Sequence, residues 1–133
     1  MRRIYIGVLA LAVCGAVFAA ETFEEYQTAM RAGAGANGEM RKLLESDLTA
    51  AAAAAERVKT AFGELEAYWT AKGANDAVTF AHNVVTAAEQ VRAAAAAGNK
   101  DAAVAASQSI GANCGSCHEA HRVRGADGSF QIK

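Results

Sequence analysis

Proline is absent from this chain of 133 residues, aromatic residues make up only 7% of it, and cysteine occurs three times. The scarcity of aromatic residues argues against β-sandwiches and barrels, whose strands are rich in aromatic and β-branched side chains. Three cysteines are too few for a disulfide-stapled fold. The formal net charge of −1 gives no general reason to expect a nucleic acid or an anionic membrane surface as partner.

Alanine, in contrast, accounts for roughly a quarter of the residues, and Glu, Lys and Leu are also common. These residue types, without proline, favour helices. The length suits one domain that buries a core of its own. The composition therefore predicts an all-α domain.

The N-terminus has the pattern of a secretory signal peptide over residues 1–20. Two arginines precede an apolar run over residues 4–17, and small residues follow it. A membrane anchor is less favoured, because the run is shorter than the roughly 20 apolar residues that span a bilayer. Lipid attachment at Cys14 is disfavoured by the bulky Val13 before it. Cleavage would place the protein in the periplasm and change its formal charge to −3.

The sequence that follows predicts four helices within residues 21–124 and a short polar tail, residues 125–133, that we expect to be frayed. In each segment, apolar or small residues recur every three or four positions. The segments run over residues 22–45, from Ser46 or Asp47 to Gly73, from the caps Asn75 and Asp76 to Gly98, and from the cap Asn99 onward. Short connections between them predict an antiparallel up-down-up-down four-helix bundle.

Two features of this predicted bundle leave room for something bulky. Three glycines between Gly33 and Gly38 weaken the first helix by up to roughly 1 kcal/mol each relative to alanine. They predict either a bend or a close approach of a bulky group to the backbone. Alanine at many core positions makes a thin core, since each buried CH₂ contributes only about 0.8 kcal/mol. A prosthetic group would fill the space.

Residues 114–118 read Cys-Gly-Ser-Cys-His, which is the attachment motif of a c-type haem. Cys114 and Cys117 lie on one face of a helix, where they can form thioethers with the two vinyl groups of one porphyrin. His118 can then bind the iron as the proximal ligand. The sequence therefore predicts one covalently attached haem c inside the bundle.

The two cysteines have other interpretations. A thioredoxin-like redox motif would follow a strand in a βαβ unit, and the sequence has no such pattern. A structural zinc site needs four ligands, and only His82 and His121 are left to complete one. A Cys114–Cys117 disulfide in a helical interaction module without haem is the alternative that stays open.

The layout resembles the class II cytochromes c, which include cytochrome c-prime and its low-spin relatives. Residues 110–122 are similar to the family signature G-x-x-C-x-x-C-H-x-x-Y-R, and Tyr-Gln-Thr-Ala-Met at residues 26–30 is similar to its opening Y-R-x-x-hydrophobic run. The resemblance implies a bundle that encloses the haem and either electron transfer or binding of a diatomic gas. It also implies a homodimer, because bundles of this family often pair through their first two helices.

Within the two stretches that resemble the family, two residues differ from its pattern and one matches it. His121 replaces the usual Tyr, and Gln27 replaces an Arg that lies near the haem edge in the family. Arg122 matches the signature, which implies a contact with a haem propionate or packing beside His118. A solvated Arg at a helix C-terminus is the alternative for Arg122.

The sixth position of the iron separates the family's two functions. Members with an open site bind nitric oxide or carbon monoxide, whereas members with a methionine ligand from the first helix carry electrons. Met30 is the candidate here, because it lies on the inward stripe while Arg31 points outward. Met30 as ordinary core filling is the alternative. An open distal face would be lined by Met30, Gly33, Ala34, Phe62 and Trp69.

Two further histidines are not expected to bind the iron. We interpret His82 as a surface or outer residue, and His121, one turn beyond His118, cannot reach the opposite face of the same haem. A haem enzyme such as a peroxidase would need a distal His or Arg, and the first helix has no His. The sequence therefore predicts a periplasmic c-type cytochrome that is not an enzyme, with an unidentified redox partner protein or a gas ligand, and with neither nucleic acid nor membrane as partner after cleavage.

Overall fold

The computed structural model describes residues 20–133, which form four helices and one β-hairpin. Almost all of the predicted signal peptide, residues 1–19 with Cys14, lies outside the described residues. The elements in chain order are α1 (Phe23–Leu43), α2 (Leu48–Lys72), α3 (Asn75–Ala96), α4 (Lys100–His121), β1 (Arg122–Arg124) and β2 (Phe130–Ile132). The predicted helical fold with four helices is confirmed. None of the helices in residues 20–133 is long and apolar enough to cross a membrane.

Several predicted helix ends are confirmed by their caps. The carboxylate of Asp47 accepts a hydrogen bond from the backbone of Ala50 at 2.9 Å, and the side chain of Asn99 accepts one from Ala102 at 3.1 Å. These bonds satisfy amide groups that have no partner within the helix. Gly73 ends α2 with a φ of 71°, a conformation that glycine adopts without strain.

The predicted start of α3 is wrong by one residue. Ala74, which has no capping side chain, stands in the N-cap position, and Asn75 is already helical. Asp76 does not cap the helix either. Its carboxylate accepts a hydrogen bond from the backbone of Ala77 at 2.9 Å and contacts His121 of α4.

The expectation of a frayed tail is wrong, because β1 and β2 pair as an antiparallel hairpin. In its turn, Gly125 N–H donates to the carbonyl of Ser129 at 2.8 Å, and Asp127 accepts from the backbone N–H of Ser129 at 3.0 Å. Gly128 has a φ of 82°, which favours glycine at that position. Backbone N–H of Lys133 donates to the carbonyl of His121 at 3.0 Å. That bond holds the second strand against the end of α4.

The core is as thin as the sequence predicts, because 13 of the 24 apolar residues buried within residues 20–133 are alanines. α1 continues as an α-helix through its glycines, without unwinding. A Cβ atom on Gly33 would lie 2.8 Å from the ring of Phe62 in α2, whereas a Cβ on Gly35 or Gly38 would meet nothing within 4 Å. Close approach of a bulky group is therefore confirmed at Gly33, where the group is Phe62.

The helices pack in sequence order, and one seam stays open. α1 packs along α2, α2 along α3, and α3 along α4, whereas α1 and α4 have almost no close backbone approach. In an up-down-up-down bundle these two helices would complete the ring. The opening lies beside the last turns of α4 and is lined by α1 and the hairpin.

Candidate functional site

The last two turns of α4 bring the motif residues to the open seam between α1 and α4. Cys114, Cys117 and His118 are each half-buried, and Cys114 packs against the core. Both thiols are free. The predicted inward direction of the two cysteines is confirmed, because the same helical face carries the fully buried Ala103 and Ile110.

A cleft of about 320 Å³ opens along this seam. Three elements form its walls: the first half of α1, the end of α4 and the hairpin. Its lining residues are Phe23, Tyr26, Gln27, Met30, Arg31, Ala34, Cys117, His118, His121, Arg122, Phe130, Gln131 and Ile132. The walls are mainly apolar, with two guanidinium groups among them. A cleft of this size and character suits a largely apolar ligand with acidic groups.

A second, narrow space of about 20 Å³ lies on the core side of the motif. Phe62 and Trp69 of α2 line it together with Cys114. Met30, Cys117 and His118 line both this space and the cleft. The structure thus brings Met30 of α1 together with the motif of α4, as the inward stripe predicts. Arg31 is exposed, also as predicted, and lies at the cleft because the seam beside it is open.

Burial sets the protonation of the three motif residues. It raises the pKa of Cys117 to about 11, with Cys114 and Asp76 adding to the effect, and it raises the pKa of Cys114. Both thiols are therefore neutral at pH 7, unlike the thiolate of a redox-active dithiol. Burial also lowers the pKa of His118, and the charge of Arg122 lowers it further. A neutral imidazole is the form that binds a metal.

Aromatic rings close the end of the seam. The ring centroid of Tyr26 lies 4.6 Å from that of Tyr68 and 5.6 Å from that of Trp69. Burial, together with Cys117, raises the pKa of Tyr26 to about 12, so its phenol stays neutral. These packed rings exclude water from one side of the motif.

His121 lines the cleft and also contacts the start of α3. Its Nε2 lies 2.8 Å from Oδ2 of Asp76, and its ring centroid lies 5.1 Å from that of Trp69. The predicted place of His121 beside His118 on the same helix is confirmed. His82 is a surface residue, also as predicted, with a side chain 62% exposed and Nδ1 3.1 Å from Oε1 of Glu66.

Arg122 lies at the junction of α4 and β1 and lines the cleft. Its Cζ lies 4.2 Å from the ring centroid of Phe130, and Cζ of Arg124 lies 4.6 Å from the same centroid. Guanidinium groups at such distances interact favourably with a ring face. Arg122 is thus neither freely solvated nor packed in the core, and a propionate contact stays a prediction.

The sequence reasoning missed the hairpin wall of the cleft, which Phe130, Gln131 and Ile132 supply. A signal for it exists in the sequence. Asp127-Gly128 is a turn pair, and a short run with an aromatic and a β-branched residue follows it. Because that run is only three residues long, it is easily taken for a polar tail.

Comparisons of this chain with protein-family models, with curated proteins and with solved structures find no match. Within residues 20–133, no group of three or more His, Cys, Asp or Glu side chains is placed to hold a metal ion.

Proposed function

We propose that this chain is a periplasmic c-type cytochrome that holds one haem c through Cys114 and Cys117. One observation carries the proposal: the Cys-x-x-Cys-His motif of α4 faces the open, apolar seam, and Met30 of α1 lines the cleft and the narrow space together with Cys117 and His118. His118 is the proximal ligand of the iron in this proposal. The protein carries electrons or binds a diatomic gas and has no substrate to turn over.

The donor residues suit such a group. Thioether attachment needs two thiols on one helical face, and Cys114 and Cys117 are neutral, half-buried and one turn apart. Iron ligation needs an unprotonated imidazole, which burial favours at His118. The cleft and the narrow space both border the motif, so separating α1 from α4 would join them into one larger pocket.

A bound haem c supplies an iron that accepts and releases one electron, or that binds a gas at a free position. The chain's own part is to hold and shield that group. Tyr26, Tyr68 and Trp69 keep water from one side, and a water-poor site favours the less charged ferrous state. Arg122 lies where it could pair with an acidic group at the cleft mouth.

Met30 decides between the two forms of the function. Met30 lines both the cleft and the narrow space beside His118 and is only half-buried, so its thioether is accessible to a ligand in the seam. We expect it to be the sixth ligand, and His/Met ligation raises the reduction potential and suits electron transfer. An iron left open would instead bind carbon monoxide or nitric oxide.

Mass spectrometry of the exported protein tests the proposal. The protein is produced in a host with cytochrome c maturation enzymes, and we expect a red product whose mass exceeds that of the polypeptide by one haem. The pigment should resist acid-acetone extraction, because thioether bonds are not broken by it. Cys114→Ala and Cys117→Ala should each disturb attachment, whereas Ser116→Ala, at an exposed position between them, should retain it.

A colourless product with the bare polypeptide mass would overturn the proposal. If that product also lacked two hydrogens, a Cys114–Cys117 disulfide would be present. The helical interaction module would then be the better interpretation.

A further inference from the structure

A surface of apolar and basic side chains surrounds the mouth of the cleft. We call it the cleft-mouth surface and define it by the exposed residues Phe23, Arg31, Arg122, Arg124 and Phe130. Two of the three large apolar side chains that residues 20–133 leave exposed are part of it: Phe23 (41%) and Phe130 (43%). Exposed apolar side chains that cluster within a polar rim are typical of protein interaction sites.

The arginines of this surface lack acidic partners. Neither Arg31, Arg122 nor Arg124 forms an ion pair with a carboxylate of the described residues. On the opposite side of the bundle, Lys59 and Arg92 are both paired with glutamates. The cleft-mouth surface therefore carries three arginines that are not ion-paired with a carboxylate of the described residues, although residues 20–133 carry a net charge of −3.

The ring of Phe130 restricts two guanidinium groups to positions suited to binding a carboxylate. Arg122 and Arg124 both lie against this ring, with Cζ 4.2 and 4.6 Å from its centroid. A guanidinium close to a ring has further N–H groups for a carboxylate, although Nη1 of Arg124 also donates to the carbonyl of Gly128 at 3.4 Å. Because stacking already restricts both side chains, less conformational entropy is lost when they pair. An arriving carboxylate would also relieve the repulsion between the two like charges.

We propose that the cleft-mouth surface is the docking site of an acidic protein partner. Carboxylates of the partner pair with Arg122 and Arg124, and its apolar side chains cover Phe23 and Phe130. If the chain carries haem, this docking places the partner at the opening of the cofactor's cleft, which suits exchange of an electron. That consequence rests on the proposed function, whereas the docking itself does not.

Binding of a synthetic peptide to the purified exported protein tests the proposal. The probe has one leucine after every pair of glutamates, and the control probe has lysines in place of the glutamates. At low ionic strength, we expect the acidic probe to shift the backbone amide signals of β1, β2 and the first turn of α1. The basic probe should shift none of these.

Two matched variants separate docking from general charge attraction. Arg124→Gln, which leaves the cleft lining intact, should raise the dissociation constant about threefold to tenfold. Arg41→Gln removes the same charge from the other end of α1, where Arg41 also lacks an ion pair with the described residues, and should have almost no effect. Phe23→Ser should weaken binding at high salt as well, because apolar contacts are not screened.

Several outcomes would overturn the proposal. These are equal effects of Arg124→Gln and Arg41→Gln, amide shifts confined to other faces, and no response to the acidic probe. Concentration-dependent shifts without any probe would assign the surface to a second copy of the chain. Binding to phosphatidylserine vesicles without a response to the peptide would assign it to a membrane. Haem content, measured separately by mass, decides the proposed function whichever of these results is found.

Discussion

Gly33 of α1 lies so close to Phe62 of α2 that a Cβ atom on the glycine would be 2.8 Å from Cε2 of the ring. The Cβ atom added to Gly33 would also lie 3.3 Å from the Cβ of Ala61. This contact seats α1 on α2 directly beside Met30, so it fixes one wall of the seam. The absence of a side chain at Gly33 is thus a packing requirement of the site.

Gly33→Ala should therefore destabilise the protein, although alanine is the better helix former. Alanine gains about 1 kcal/mol of helix propensity, but forcing the ring of Phe62 aside typically costs about 1–3 kcal/mol. Gly35→Ala is the matched control, because a Cβ there meets nothing within 4 Å. Urea unfolding should show Gly35→Ala stabilised and Gly33→Ala not. Equal stabilisation of both variants would contradict the contact.

If the chain holds haem as proposed and Met30 is its sixth ligand, Met30→Leu should open the sixth position of the iron while keeping the side-chain volume. Leucine has no sulfur atom, so the ferrous protein should change from a low-spin spectrum to one that responds to carbon monoxide. Met40→Leu is the control, because Met40 is fully buried in the core and lines neither space at the motif. If the unsubstituted ferrous protein already binds carbon monoxide, Met30 is not the ligand and gas binding is the better proposal.

Asp76→Asn should lower stability at neutral pH, and the difference from the unsubstituted protein should vanish in acid. The contact with His121 lowers the pKa of Asp76 below its usual 3.8. A lowered carboxyl pKa stabilises the folded state above the usual value, and this contribution is lost as the pH falls through the lowered one. Thermal melts between pH 7 and pH 2 measure it, and added salt should reduce it because Asp76 is exposed.

Asp101→Asn is the control for that experiment. Asp101 lies in the first turn of α4 as Asp76 lies in the first turn of α3, so both carboxylates interact similarly with a helix dipole. Only Asp76 contacts a histidine. A pH dependence shared by both variants would attribute the effect to the dipole and not to His121.

The double variant Cys114→Ala, Cys117→Ala should be much less stable than the haem-loaded protein. Alanines are 13 of the 24 buried apolar residues within residues 20–133, so a covalently held porphyrin would supply much of the buried apolar area. Thermal unfolding followed by circular dichroism compares the two proteins, with Ser116→Ala as a loaded control. Equal melting temperatures with and without the pigment would contradict this account of the core.

The helices could be predicted because their signals are local and repeated. Periodic apolar residues, the caps Asp47 and Asn99 and the terminal Gly73 each act within one or two turns, and each is found where the sequence places it. Asp76 differs because a side chain distant in sequence, His121, engages it. The start of α3 therefore depended on tertiary structure that no local pattern contains.

The candidate site was predictable on its helical side and not on its hairpin side. The spacing of Cys114, Cys117 and Met30 fixes their helical faces, and faces determine what meets in a bundle. The packing of Phe130 against two arginines depends on the register of β1 and β2 and on contacts between their side chains. These strands are too short to show a repeating apolar pattern in the sequence. The width of the seam between α1 and α4 is likewise a property of the assembled bundle.

Because every helix packs only on its neighbours in the chain, α1 and α4 are each attached along a single side. The central helices α2 and α3 are instead held on two sides, so parting α1 from α4 leaves the contacts of the α2–α3 pair intact. Amide hydrogens of α2 and α3 should therefore exchange with solvent more slowly than those of α1 and α4.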